Sequence, residues 1–159
     1  MSARTRPINF SAGPAILPLS VLEEASRGVL ALDDPGLSIL EISHRSPPFA
    51  AIIDETRDTL RRVMSVPDSH EILFLQGGAR GQFAQVPLNF LFPGTSAAYV
   101  DTGNWAVGAF EEAARIGEAS VIASGEADGY CRLPELSASA GAGHAYVHTT
   151  SNNTIYGTQ

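Results

Sequence analysis

The chain has 159 residues, 44% of them hydrophobic and 17% charged, with a formal net charge of −7. This is the composition of a soluble globular protein, long enough for one domain with a real core or for part of a larger one. The negative charge excludes a nucleic-acid surface and an anionic-membrane surface, though it leaves room for one local phosphate pocket, and no apolar run approaches the roughly 20 residues of a membrane span.

The first ten residues, MSARTRPINF, carry two arginines but no apolar segment behind them, so they do not read as a signal peptide. Asn9 to Pro14 is irregular, because Gly-Pro and the later Pro18 resist regular structure. A helix is expected from Pro18 to Ser20 onward, with Ser20 and Glu23 at capping-box spacing and Val21, Leu22, Ala25 and Val29 on one face. Asp33-Asp34-Pro35-Gly36 ends it as a turn. Ser38 to Ile42 reads as a short extended piece leading into Ser43-His44-Arg45. Ser46-Pro47-Pro48 starts a second helix, with Phe49, Ile52, Ile53, Leu60, Val63 and Met64 on its buried stripe. Asp54, Glu55, Arg57, Asp58, Arg61 and Arg62 form its solvated face, with Asp58/Arg62 as an i,i+4 pair, and Val66-Pro67-Asp68 closes it.

Ile72 to Leu75 is a continuous apolar run, the pattern of a strand buried in a parallel sheet. Gln76-Gly77-Gly78 breaks it, and Ala79-Arg80-Gly81-Gln82-Phe83 opens a helix that runs to Leu91 with a kink expected at Pro87. A strand, a glycine turn and a helix start make an anion site, because unpaired first-turn N–H groups and the helix dipole favour negative charge. Arg80 adds a charge-assisted donor. The alternative is a glycine turn serving geometry alone. No Lys-Ser or Lys-Thr follows, so this is not a Walker loop, and the spacing is not that of a dinucleotide fingerprint.

Ala97 to Asp101 reads as a second buried strand, capped by Thr102-Gly103-Asn104 into a helix from Trp105 to about Ile116. Val121 to Ala123 is a third strand, Ser124 to Gly143 a Gly/Asp/Ser-rich excursion, and Ala145 to Thr149 a fourth strand before a polar end. There is no internal repeat or domain linker. The alternation implies an α/β fold with a mostly parallel sheet flanked by helices, whose ligands collect beyond the carboxyl ends of the strands. Three stretches lie there: Gly78 to Arg80, Asp101 to Trp105, and Ser151 to Thr154.

His70, His144 and His148 lack metal-ligand spacing, so no metal site is expected. Cys131, the one cysteine, excludes an internal disulfide, fits a reducing cytoplasm and reads as a packing residue. Asn152-Asn153-Thr154 matches a glycosylation sequon by coincidence. All ten basic residues are arginine, so these residues offer no side-chain amine for a Schiff base.

Six blocks in order carry a resemblance: Asn9 to Ala15, Ser43-His44-Arg45, Gly77 to Phe83, Val86-Pro87-Leu88-Asn89, Asp101 to Trp105, and Asn152 to Gly157. Together they resemble the phosphoserine aminotransferases, pyridoxal-phosphate enzymes of fold type I. The resemblance implies that Gly78, Ala79 and Arg80 cradle the phosphate of pyridoxal 5'-phosphate. It implies that Trp105 stacks on the ring and that Thr154 bonds the ring oxygen; the alternatives are a core position beside Phe110 and Ala113, and turn capping. His44 and Arg45 would recognise the anionic substrate groups, in the site of a partner subunit if the protein is a homodimer, the alternative being an exposed loop pair. The family's Asp, its Gln-Lys pair with the Schiff-base lysine, and its small C-terminal domain follow the Asn-Asn-Thr block. The chain is therefore expected to be the N-terminal part of the cofactor-binding major domain, inactive alone. The implied reaction is amino transfer between L-glutamate and 3-phosphohydroxypyruvate in the cytoplasm. The alternative function is a non-catalytic module that binds a phosphate ligand.

Overall fold

The computed structural model describes residues 6–159; Met1 to Thr5, part of the segment read as no signal peptide, lie outside them. The chain divides into two compact units, Met1–Phe74 and Leu75–Gln159. No composition break marks that boundary, which falls inside the apolar run expected to be a buried strand.

The first unit holds α1 (Leu19–Leu30) and α2 (Pro47–Val63). Pro18 takes the N-cap of α1 and no side chain caps it, so the Ser20/Glu23 box does not form. No residue of α1 is buried, and Val21, Leu22 and Val29 of its expected stripe are exposed. An amphipathic stripe is buried only against a facing surface, and α1 and α2 make no extended contact with each other. Asp33 to Gly36 forms the expected turn, but 38–42 is a turn too and not extended. There the Ser38 hydroxyl accepts from the Leu40 N–H and the Glu41 carboxylate from the Ser38 N–H, local bonds that compete with an extended backbone. α2 starts at the expected Ser46 cap; its ion pair is Arg57–Asp54 at 2.8 Å in place of Asp58/Arg62. Arg61 is not simply solvated, since its guanidinium donates to the carbonyls of Pro67 and His70 at 3.0 Å each. Val63 and Met64 are exposed.

Residues 72–75 form no strand, and Leu73 is 72% exposed. A strand exists only where a neighbour takes up its backbone groups; among the described residues no ladder joins this run to another segment.

The second unit contains α3 (Gly78–Phe90), β1 (Ser96–Asp101), α4 (Asn104–Ile116), β2 (Glu118–Ser124) and β3 (Tyr146–His148). The sheet has the order β2-β1-β3 with both pairings parallel, as the alternation of elements implied. β1 lies in the middle and is buried almost throughout, while α3 packs on α4 and α4 on β1 and β2. The core joins Leu91, Ala97, Tyr99, Ala109 and Ala113, with Phe83, Phe110, Ala119 and Tyr146 packed against it. Small residues on α4 let the helix lie close to the sheet, and Tyr99 fills the space with its hydroxyl 2.8 Å from that of Tyr146. Pro87 is buried inside α3.

One consequence concerns the link between α4 and β2. A Cβ on Gly117 would fall 2.8 Å from the Cγ and Cδ2 atoms of the buried Leu91. The backbone there is extended and unstrained, so the obstacle is contact alone. Gly117→Ala should cost about 1–3 kcal/mol by overpacking, read as a lower melting temperature, and should add little to the loss already caused by Leu91→Ala, which removes the crowded atoms.

Candidate functional site

The site is built at the carboxyl end of β1 and at the start of α3. Gly77 and Gly78 have φ of +104° and +58°, which only glycine adopts freely, and they bring the chain into α3. The Gly81 N–H donates to the Gly77 carbonyl at 3.0 Å, which closes the first turn. The N–H groups of Gly78, Ala79 and Arg80 have no acceptor within the helix and stand at its positive end. The helix begins at Gly78, one residue before the expected start.

At the other wall, β1 ends in Asp101, whose buried carboxylate is fully bonded. One oxygen accepts from the Gly103 N–H at 3.1 Å, and the other accepts from Ser124 at 2.6 Å and from Tyr130 at 3.1 Å. Burial first, then the bond to Asp101, pushes the Tyr130 phenol up to about 12, so it remains a donor at ordinary pH. The network fixes the turn that leads into α4. Gly103, at φ +139°, has no side chain with which to cap that helix. The cap comes from 48 residues away: the Trp105 N–H donates to the Asn153 side-chain oxygen at 3.0 Å. The Asn153 amide in turn donates to the Thr102 hydroxyl at 2.7 Å. The Trp105 indole N–H donates to Thr154 Oγ1 at 3.1 Å.

Trp105 stands outside the core cluster that holds Ala113 and is 41% exposed. It lines a mainly apolar cavity of about 470 Å³ together with Ala79, Arg80, Phe83, Thr150 and Asn152. A second cavity of about 320 Å³ shares Arg80, Phe83 and Trp105 and adds Asn104, Glu111 and Ile155 among its walls. The three stretches singled out in the sequence therefore converge. Ala79, Arg80 and Trp105 share one cavity, Gly78 opens the helix that carries the first two, and Thr154 is tied to the indole. A guanidinium, free helix-start donors and a flat indole around an apolar space suit a ligand with a flat ring and an anionic group.

His44 and Arg45 belong to the first unit, in an exposed turn where the Arg45 N–H donates to the Ser43 hydroxyl at 3.2 Å. Cys131 is exposed, contrary to the packing role expected of it, in the turn that follows Gly129. His148 is structural, stacked on Tyr99 at 5.0 Å with Nε2 3.3 Å from the Thr150 hydroxyl, and burial lowers its pKa. Tyr130 and Thr150 carry the site's geometry without having been singled out, and Asp101 and Asn153, though inside stretches that were, had been given no role of their own. Asn153 had a visible signal, an amide beside the expected Thr154, but its partners lie too far along the chain for spacing to reveal them.

Comparison with known proteins follows the same lines. The Aminotransferase class-V family profile matches residues 8–159. The phosphoserine aminotransferase of Bacillus thuringiensis subsp. konkukian is 48% identical over 155 residues, covering 97% of this chain and 43% of the relative. That of Bacillus subtilis is 43% identical over 154 residues with the same coverage. Among solved structures, phosphoserine aminotransferase from Bacillus circulans subsp. alkalophilus superposes with a TM-score of 0.83 at 44% identity, covering 92% of this chain and 41% of that one. The pyridoxal-phosphate-bound enzyme from Trichomonas vaginalis gives a TM-score of 0.84 at 34% identity, covering 96% and 46%. The chain spans less than half the length of these relatives.

Proposed function

The chain belongs to the class-V aminotransferase family, and from that premise we propose that it forms the cofactor-binding part of a phosphoserine aminotransferase. The reaction is amino transfer from L-glutamate to 3-phosphohydroxypyruvate, giving 2-oxoglutarate and O-phospho-L-serine, in a cytoplasmic homodimer. The observation that carries this reading is the convergence of Arg80 and Trp105 on one apolar cavity, with Thr154 bonded to the indole edge.

The residues fit pyridoxal 5'-phosphate. Gly78, Ala79 and Arg80 offer backbone donors and a guanidinium to its phosphate, and Trp105 offers a flat face to its ring. Thr154 accepts the indole N–H and keeps its own hydroxyl proton to donate to the ring oxygen. When bound, this cofactor serves as an electron sink at the substrate's α-carbon. The chain's own residues hold the phosphate and fix the ring plane, with Phe83 and the indole as apolar walls of the cavity. His44 and Arg45 are assigned to the substrate's carboxylate and phosphate, for which a guanidinium fork is suited.

The 159 residues contain no lysine, so the amine required by the chemistry is not one of their side chains. The proposal is tested by measuring glutamate-dependent formation of O-phospho-L-serine by the protein that carries this chain. Failure with 3-phosphohydroxypyruvate but turnover of another 2-oxo acid would reassign the substrate. These 159 residues alone, mixed with pyridoxal phosphate and borohydride, are expected to show no reduced adduct on any side chain, with the α-amine of Met1 distinguished by peptide mapping. An adduct on an internal residue would contradict this.

A further inference from the structure

Trp105 is held at two points by consecutive residues of one loop. Its backbone N–H goes to the Asn153 side chain at 3.0 Å, and its indole N–H goes to Thr154 at 3.1 Å. Asn153 is 1% exposed, and every polar group it has is engaged. Besides its side-chain bonds to Trp105 and Thr102, its backbone N–H donates to the Thr158 carbonyl at 2.9 Å and its carbonyl accepts from Gly157 at 2.8 Å. The Thr158 hydroxyl then donates to the Tyr130 carbonyl at 3.1 Å, which ties the loop to the Asp101 network. Gly103 lies against the Asn153 amide so closely that a Cβ there would meet it at 3.0 Å.

We propose that Asn153 is a positioning residue, which presets the Trp105 ring in the cavity wall before any ligand arrives. The inference rests on the cofactor reading above for its ligand and deepens it. One planar amide does two jobs: its oxygen takes the first-turn N–H that Gly103 cannot cap, and its nitrogen anchors that oxygen through Thr102. The amide orientation follows from the network, because a backbone N–H must face the oxygen. The ring is thus ordered by the fold and not by the ligand, and binding avoids the cost of immobilising it.

Trp105 is the one tryptophan of these 159 residues, so in the full protein that carries them, with any tryptophan outside them replaced by phenylalanine, fluorescence reports this clamp directly. Thr102→Val keeps the shape of the side chain and removes the hydroxyl, Thr102→Ser retains it, and Asn153→Leu removes the amide. In the ligand-free protein, acrylamide quenching of Trp105 is expected to rise about two-fold in Thr102→Val and Asn153→Leu as the turn opens locally, and to stay at the wild-type value in Thr102→Ser. Affinity for pyridoxal phosphate, read from quenching of the same ring, is expected to fall roughly ten-fold in the first two and to be kept in Thr102→Ser. Should Asn153→Leu show no cooperative melt, the Thr102 pair decides. Unchanged acrylamide quenching in Thr102→Val, equal effects of Val and Ser, or wild-type affinity despite a loosened ring would each overturn the proposal. Failure of pyridoxal phosphate to quench the wild-type ring would instead overturn the cofactor reading, while the acrylamide series still judges the clamp.

Discussion

Gly103→Ala is expected to lower stability by about 2–5 kcal/mol, combining backbone strain with overpacking. At φ +139° an L-residue is strained whatever space surrounds it. Here there is also no space: the new Cβ would lie 2.9 Å from the Tyr156 ring and 3.0 Å from the Asn153 amide. Neither neighbour retreats cheaply. Asn153 is fully bonded, and Tyr156 packs on Tyr130 with ring centroids 4.6 Å apart. For a chain of this size each kcal/mol moves the melting temperature by roughly 2–4 °C, so a drop of about 5–15 °C is expected in a thermal melt. Gly94 provides the control. It too has positive φ, at +82°, but nothing lies within 4 Å of a Cβ built on it. Gly94→Ala should therefore show only the backbone part, about 1 kcal/mol. Equal losses in the two variants would mean that the packing against Asn153 and Tyr156 is not what makes Gly103 necessary.

The second large effect concerns the ring itself. Trp105→Ala is expected to weaken pyridoxal phosphate binding roughly 30-fold, the equivalent of about 2 kcal/mol for loss of one aromatic stacking surface. Trp105→Phe should keep most of the affinity, because the flat face remains while the indole bond to Thr154 is lost. Equilibrium dialysis reads both, since neither variant keeps the fluorescent ring. The stability cost should be small by comparison, because Trp105 lies outside the core that Tyr99, Ala109 and Ala113 build. Wild-type affinity in Trp105→Ala would remove the indole from the binding surface.

What could be read in advance follows from the range of each interaction. The βαβ arrangement of β1, α4 and β2 was legible because its signals are local: an apolar run, a glycine-containing cap, and a second short apolar run after the helix. The glycine turn before Arg80 and the place of Trp105 past a strand end were legible for the same reason. Ile72 to Leu75 misled because an apolar run states only what a strand would bury, not whether another strand is there to pair with it. The α1 stripe misled likewise, since periodicity describes a face and not its partner. The Ser20/Glu23 pair lost to Pro18 at the cap, and Ser38 to Ile42 bent because a serine hydroxyl and a glutamate reached their own backbone first. The Asn153 clamp and the Asp101 network join residues 23 to 51 positions apart, and no local pattern announces such bonds.

The parallel sheet also sets an order of events during synthesis. A chain leaving the ribosome N-terminus first can close β1, α4 and β2 early, since that unit needs only near neighbours. The wall that carries Asn153 and Thr154 waits until β3 has docked on the far side of β1 and the following loop has returned to Trp105. Closing such a distant loop is the slow part of building a sheet of this kind. The cavity beside Trp105 is thus the last region of this unit to mature, and a nascent chain halted before residue 146 would carry an indole with nothing to aim it.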